Sequence, residues 1–332
     1  MKKILIINHN HIGDVLLTTP VIKKIRKYYK DFFVICIVGE NAKDVLLNNP
    51  NIDEIIIRKK GTKDFFKLLF IIIKHKFDVS FIFQDTIGNA ILTWLSNIPK
   101  RIGYKKEGAQ IFLTKSIKRN FLKHTIISYF ELLGIQDMEN NLKMEIFLNE
   151  TDKENVEKIF IKENIKKEDL IIAICPFSAR KNKQWNSYNL AQVIDYVMQK
   201  YNAKVIIIGS EKEKSQVHEI LSLTKEKENV INLVGRTTVR ELAYIFNKCK
   251  IVITSDSGAM HTAATAEKPT IISLFGSTNP VEVAPIENKH ITFYKKIKCN
   301  PCKINKCKHK TNKCMQEITV NEIKEAISNI LT

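Results

Sequence analysis

The sequence predicts an α/β protein built from two doubly wound parallel-sheet domains in tandem, with a cleft between them. Three observations predict it. Short β-branched runs alternate with segments of helical period along most of the chain. The runs are apolar at nearly every position, as in strands buried on both faces of a parallel sheet. The alternation also restarts after a polar stretch at 150–168, in a chain of 332 residues that exceeds what one core usually serves.

Residues 3–7 read as the first strand and are followed by a loop, 8–20, that contains Gly13 and Asp14. Val21, Ile22 and Ile25 then recur at helical spacing, so Pro20 must lie in a first helical turn or kink the helix. Asp14 therefore falls at the carboxyl end of a strand, where open α/β sheets place their ligand crevice. As a lone residue it would more often be a helix cap. Strands follow at 32–38, 54–57 and 78–83, and helices at 42–48, 62–74, 89–96 and 124–133, the last ending at Gly134. The segment 101–123 is irregular and basic, suited to an exposed rim, and 144–148 reads as a final strand. These elements make a first domain over 1–160.

The second domain, 168–318, repeats the rhythm. Strands are expected at 170–175, 204–208, 230–234, 251–254 and 270–274, with helices at 188–200, after the turn 209–213, at 239–247 and at 259–266.

Charge narrows the function. The formal net charge is +18, but residues 1–150 and 151–332 carry +9 each, so the excess is spread rather than gathered in an arm. No nucleic-acid-binding signature accompanies it. Such a surface favours an anionic membrane face or a phosphorylated acceptor. The most apolar run, 65–73, is broken by Lys67 and ended by Lys74, and reads as a buried or interfacial helix. No run approaches the roughly 18 to 20 apolar residues of a membrane span. The amino end begins like a secretory signal, but its apolar core is only four residues before Asn8, which points to the cytoplasm.

The chemistry concentrates in three loops of the second domain, each after an expected strand and hence on one sheet edge. The first holds Ser178, Arg180, Lys181 and Lys183, cations and a hydroxyl suited to phosphate oxygens. The second holds Glu211 and Glu213 after Gly209, able to accept from a ribose diol. The third, Ser255-Asp256-Ser257-Gly258, is a strand-to-helix turn, where unpaired N–H groups and the helix dipole favour an anion. Together they describe a nucleotide-diphosphate site.

These motifs carry a family resemblance. The stretches 12–20 and 183–185, the turn 209–213, and the stretches 255–261 and 275–278 resemble, in order and spacing, the motif series of glycosyltransferase family 9, whose best-known members are ADP-heptose:lipopolysaccharide heptosyltransferases. The resemblance implies a GT-B fold, two Rossmann-like domains facing a central cleft, the first binding the acceptor and the second the nucleotide sugar. It also implies that 319–332 forms a helix packing back on the first domain. The implied reaction is an inverting, metal-independent transfer with no cofactor. Asp14 would be the base and Lys183 would neutralise the leaving diphosphate. Ser178 and the backbone of Ser257, Gly258, Ala259, Met260 and His261 would assist. Glu213 would hold the ribose, Asp256 the transferred sugar, and Gly13 and Arg101 would lie on the acceptor side. The implied donor is ADP-heptose, and the implied acceptor a lipid-linked glycan such as the lipopolysaccharide inner core at the cytoplasmic face of the inner membrane. One departure is that Ser178 is followed by Ala179, where heptosyltransferases often carry a second hydroxyl. That leaves open a different nucleotide sugar. The competing readings are a nucleotide-sugar 2-epimerase on the same fold and a non-enzymatic basic protein binding RNA or a membrane.

Of seven cysteines, Cys36, Cys175 and Cys249 fall in or beside apolar strands and read as small core residues. Cys299, Cys302, Cys307 and Cys314 cluster near the end with His309 among them. Zinc, reduced thiols and disulfides are all open for this set.

Overall fold

The computed structural model describes the chain except residues 60, 107, 135–141, 303, 305, 306 and 310. It divides into two compact units, Met1–Phe147 and Leu148–Thr332.

In the first unit the elements run β1 (Lys3–Ile7), α1 (Ile12–Leu16), α2 (Thr19–Tyr28), β2 (Phe33–Gly39), β3 (Glu54–Arg58), α3 (Thr62–His75), β4 (Val79–Ile82), α4 (Ile87–Leu95), β5 (Lys100–Tyr104), β6 (Lys115–Ile117) and α5 (Thr125–Leu133). The strands form one parallel sheet in the order β3-β2-β1-β4-β5-β6. Pro20 stands in the first turn of α2, where its missing N–H costs nothing, so the chain restarts there as a second helix.

In the second unit they run α6 (Glu150–Lys162), β7 (Ile171–Cys175), α7 (Ser187–Tyr201), β8 (Lys204–Ile207), α8 (Lys214–Leu223), β9 (Ile231–Asn232), α9 (Val239–Lys248), β10 (Ile251–Ser255), α10 (Gly258–Ala263), β11 (Thr270–Phe275), α11 (Pro280–Val283), β12 (His290–Tyr294), α12 (Lys313–Gln316) and α13 (Val320–Leu331). Their sheet, β12-β11-β10-β7-β8-β9, is also parallel throughout. Counted from its own first strand this is the order of the first sheet, the doubly wound order whose direction reverses between the first and fourth strands. The two switch points, between β1 and β4 and between β7 and β10, are where loops diverge and leave room for a ligand.

The structure corrects four expectations. Residues 101–104 are not a rim but lie in β5, which pairs with β4 and carries β6 beyond it. Their mixed composition suits strands near a sheet edge, which lack a fully apolar face. Residues 144–148 form no strand; Met144 is buried and the Glu145 N–H donates to Thr19 Oγ1 at 2.9 Å. The unit boundary falls at 147/148 instead of 160, because α6 packs on α9. Val156 and Phe160 are buried there, and Arg240 and Lys248 of α9 pair with Asp152 and Glu157. Finally, α13 buries its apolar face in the second unit's own core. Ile323, Ala326 and Ile327 join Leu190, Ile194 and Trp185, and Tyr196 shares a 2.7 Å hydrogen bond with Ser328. Ile327 is fully buried, so Ile327→Ala is expected to lower the stability of the second unit by about 2–5 kcal/mol in denaturant unfolding.

Candidate active site

The second unit's site forms at its switch point. β7 and β10 are neighbours, so the loops leaving their carboxyl ends meet. Ser178 Oγ donates to the Asp256 carbonyl at 3.2 Å, Ser255 Oγ to the Pro176 carbonyl at 2.9 Å, and Gln184 Nε2 to the Ser178 carbonyl at 2.7 Å. Lys183 ends a 3₁₀ turn, Lys181–Lys183, and its Nζ lies 2.6 Å from Asp256 Oδ2. The same carboxylate oxygen accepts from Thr278 Oγ1, from the loop after β11. Both partners are largely withdrawn from water, with side chains 13% and 6% exposed. Trp185 anchors the loop in the core, its Nε1 donating to the Ile318 carbonyl at 3.1 Å.

The sequence reading gave Asp256 to the sugar and Lys183 to the phosphates. The structure joins them, and Asp256 with Thr278 fixes where the ammonium points. A lysine ammonium has three donors, so one spent on Asp256 leaves others for a ligand. Thr278 escaped the sequence reading, although it closes the last of the quoted motifs.

Ser257 and Gly258 open α10, which is six residues long and shorter than expected. Such a helix offers the N–H groups of its first turn more than a long macrodipole. Ser257 Oγ is buried, and among the described residues no hydrogen-bond partner meets it. Ala259 is half-buried, whereas the Met260 and His261 side chains are buried, so only their main chains are suited to a ligand. Arg180 precedes the 3₁₀ turn and accepts from the Lys183 N–H at 3.0 Å. Glu213 follows β8 on the same edge. Its Oε2 accepts from the Ser210 N–H at 2.6 Å and Oγ at 2.9 Å, which braces the turn. Gly209 is required there, since a Cβ would stand 2.6 Å from the Phe177 ring.

The first unit builds a different site at its own switch point. Asp14 lies in the first turn of α1, half-buried, behind buried Gly13. Asn8 organises the loop before it: its Nδ2 donates to Thr18 Oγ1 at 2.7 Å and its Oδ1 accepts from the His9 N–H at 2.8 Å. Gly39 packs so closely on this loop that a Cβ would stand 2.6 Å from Asn10 Oδ1. His9 Nε2 and Tyr129 Oη are 2.7 Å apart. Burial pushes His9 down to about 4, with the Asp14 charge opposing and the Arg119 charge aiding that shift. His9 is therefore neutral at pH 7.

That shift sets a pH dependence. The folded value lies below the ordinary 6.5, so the unfolded chain takes up its proton first as pH falls. The stability it contributes is complete above about pH 6.5 and is lost toward pH 4, a change of about 3 kcal/mol. Denaturant unfolding of His9→Gln across that range should lack this slope.

Two arginines missed in the sequence belong to this edge. Arg58 ends β3, and its guanidinium donates to Asn89 Oδ1 at 2.9 Å, the Asn8 carbonyl at 3.2 Å, Asn10 Oδ1 at 2.8 Å and Gln84 Oε1. Among the described residues all its partners are neutral, so its charge is not cancelled. Arg119 follows β6 and lies against the rings of Tyr104, Phe121 and Tyr129 at 5.8, 5.3 and 5.9 Å. Beside Arg58 is a cavity of about 650 Å³ lined by Asn10, Gly39, Phe65, Leu68 and Leu92 among others. Arg101 does not join this group. It sits near the amino end of β5, where Nε donates to the Phe112 carbonyl at 2.7 Å and Nη1 to that of Ile98, a structural clamp that corrects the acceptor-side expectation.

The model of glycosyltransferase family 9 (heptosyltransferase) matches residues 67–313. The chain belongs to this family. Glycosyltransferase family 9 membership makes it a glycosyltransferase. Among its relatives, the lipopolysaccharide core heptosyltransferase OpsX of Haemophilus influenzae is 26% identical over 86% of this chain and 82% of its own. A family 9 glycosyltransferase from Veillonella parvula has the same fold at 23% identity and a TM-score of 0.86, covering 99% and 97% of the two chains. The Escherichia coli ADP-heptose lipopolysaccharide heptosyltransferase II follows at 21% identity and a TM-score of 0.82, covering 100% and 98%. These likenesses give the family 9 chain the two-domain GT-B architecture.

The four carboxyl-terminal cysteines line a second cavity, of about 610 Å³, and all seven cysteines are free thiols. Among the described residues no three His, Cys, Asp or Glu side chains are grouped to hold a metal ion. Burial pushes Cys36 up to about 12, consistent with its reading as a core residue.

Proposed function

We propose that the protein transfers heptose from ADP-heptose to a lipopolysaccharide inner-core acceptor. The observation that carries this reading is the Lys183–Asp256–Thr278 assembly beside the amino end of α10, a cation of fixed direction next to the buried Ser257 hydroxyl. A departing diphosphate needs such an environment, which stabilises the charge that develops as its bond to the sugar breaks. Asp14 takes the acceptor hydroxyl's proton while that oxygen bonds to the anomeric carbon, and ADP leaves from the opposite face with inversion. Ser178, Ser257 and the first-turn N–H groups of α10 bind phosphate oxygens, and Glu213 meets the ribose. On the acceptor side, Arg58 and Arg119 supply positive charge for phosphate or carboxylate groups, and the cavity beside Arg58 accommodates sugar. The transfer needs no metal, because Lys183 and the helix end supply the electrostatic work. The names of the relatives support the donor and the acceptor: OpsX is a lipopolysaccharide core heptosyltransferase, and the Escherichia coli neighbour is named for ADP-heptose.

The donor is tested by calorimetric titration with ADP-heptose, ADP-glucose and UDP-N-acetylglucosamine. ADP-heptose should bind most tightly. Preference for a uridine nucleotide would contradict the assignment.

A further inference from the structure

We propose that the outer face of α3 and α4 docks on a bilayer that carries anionic headgroups. Helix α3 buries Leu68 and Ile72 against the sheet, yet it also exposes Phe66, Phe70 and Ile73, which are 52%, 70% and 44% accessible. Their spacing puts them on one stripe. Exposed Lys63, Lys67 and Lys74 run alongside that stripe at the same helical spacing. Helix α4 lies on the same sheet face, since its Leu92 shares a core cluster with Leu68 and Ile72. It exposes Trp94 and Leu95, 49% and 44% accessible, and the short turn Ala109–Phe112 packed on it exposes Ile111 at 75%.

A helix that faces water would carry polar residues on its outer side. Here the outer side holds large apolar groups with a lysine row, the pattern of a helix lying in a headgroup region. Its 14 residues are too short to span, and among the described residues no helix is long and apolar enough to cross a membrane. The lysine row selects the occupant, because cations gain from an anionic lipid surface and not from a neutral one. The cavity beside Arg58 reaches Phe65 and Leu68 of α3 and Leu92 of α4. An acceptor held there would keep its lipid anchor near the docked face. That use rests on the proposed acceptor, whereas the surface itself does not.

The test is flotation of the full chain with vesicles of phosphatidylethanolamine and phosphatidylglycerol, and separately of phosphatidylcholine. Wild type should float with the anionic vesicles, less so as salt rises. Phe66→Glu and Phe70→Glu should each reduce partitioning about tenfold. Replacing Lys63, Lys67 and Lys74 by Gln should reduce it by about fivefold per lysine. All variants should keep the wild-type unfolding midpoint and ADP-heptose affinity. The proposal is overturned if wild type ignores the anionic vesicles or if the glutamate variants float as wild type does. It is also overturned if Phe70→Glu splits a dimer without changing vesicle binding, since the face would then join two copies. A wrong donor assignment would show only in the nucleotide titration, which flotation does not read.

Discussion

Asp14→Asn is expected to lower kcat by about 10²–10⁴-fold while leaving the ADP-heptose Kd unchanged. Loss of the carboxylate removes the group that takes the acceptor proton, but nothing that meets the nucleotide. The neighbouring His9 is the rival base, and the structure weighs against it. Its Nε2 is engaged with Tyr129, and burial holds it near 4, so it binds a proton weakly at pH 7. His9→Gln should therefore cost less activity than Asp14→Asn. Rapid-quench measurement of ADP formation, beside calorimetry of donor binding, separates the two. An Asp14→Asn enzyme with wild-type turnover would end the assignment.

Lys183→Met is expected to have two effects of different origin. It leaves Asp256, whose side chain is 6% exposed, without its counter-charge, and breaking a buried pair in this way typically costs about 3–5 kcal/mol of stability. It also withdraws the cation from the leaving diphosphate, for which losses of about 10²–10³ in kcat are usual when one stabilising donor is removed. The double variant Lys183→Met with Asp256→Asn distinguishes these effects. It should regain much of the lost stability, because no lone charge stays buried, yet regain none of the activity. Recovery of turnover in the double variant would mean that Lys183 serves only as a partner for Asp256.

The grouping of loops at the second unit's candidate site was largely legible in the sequence because its parts are local. Each loop follows a continuous apolar strand, and parallel topology puts every such loop on one edge, so Ser178, Lys183, Glu213 and Asp256 could be grouped before any coordinates. What the sequence lacked was pairing. Nothing in the spacing of Lys183 and Asp256 says that they share a hydrogen bond, since that depends on β7 and β10 being neighbours across the switch point. The acceptor edge was harder to read. Arg58 could have been found by the rule that flagged Asp14, as a charge at the end of an expected strand. Arg119 could not, because β6 is three residues long with little apolar signal. Arg101 misled for the converse reason: with β5 unread, its position at the amino end of a strand was hidden. The placement of α13 is likewise a tertiary matter, since its apolar stripe says that it packs but not on what.

The most direct test of the account is one incubation of the purified chain with ADP-heptose and an inner-core acceptor lacking heptose, followed by mass spectrometry and nuclear magnetic resonance. The account predicts ADP in equal amount to an acceptor heavier by one heptose, with the anomeric configuration inverted. Conversion of the donor in the absence of acceptor, or retention of the anomeric configuration, would contradict it.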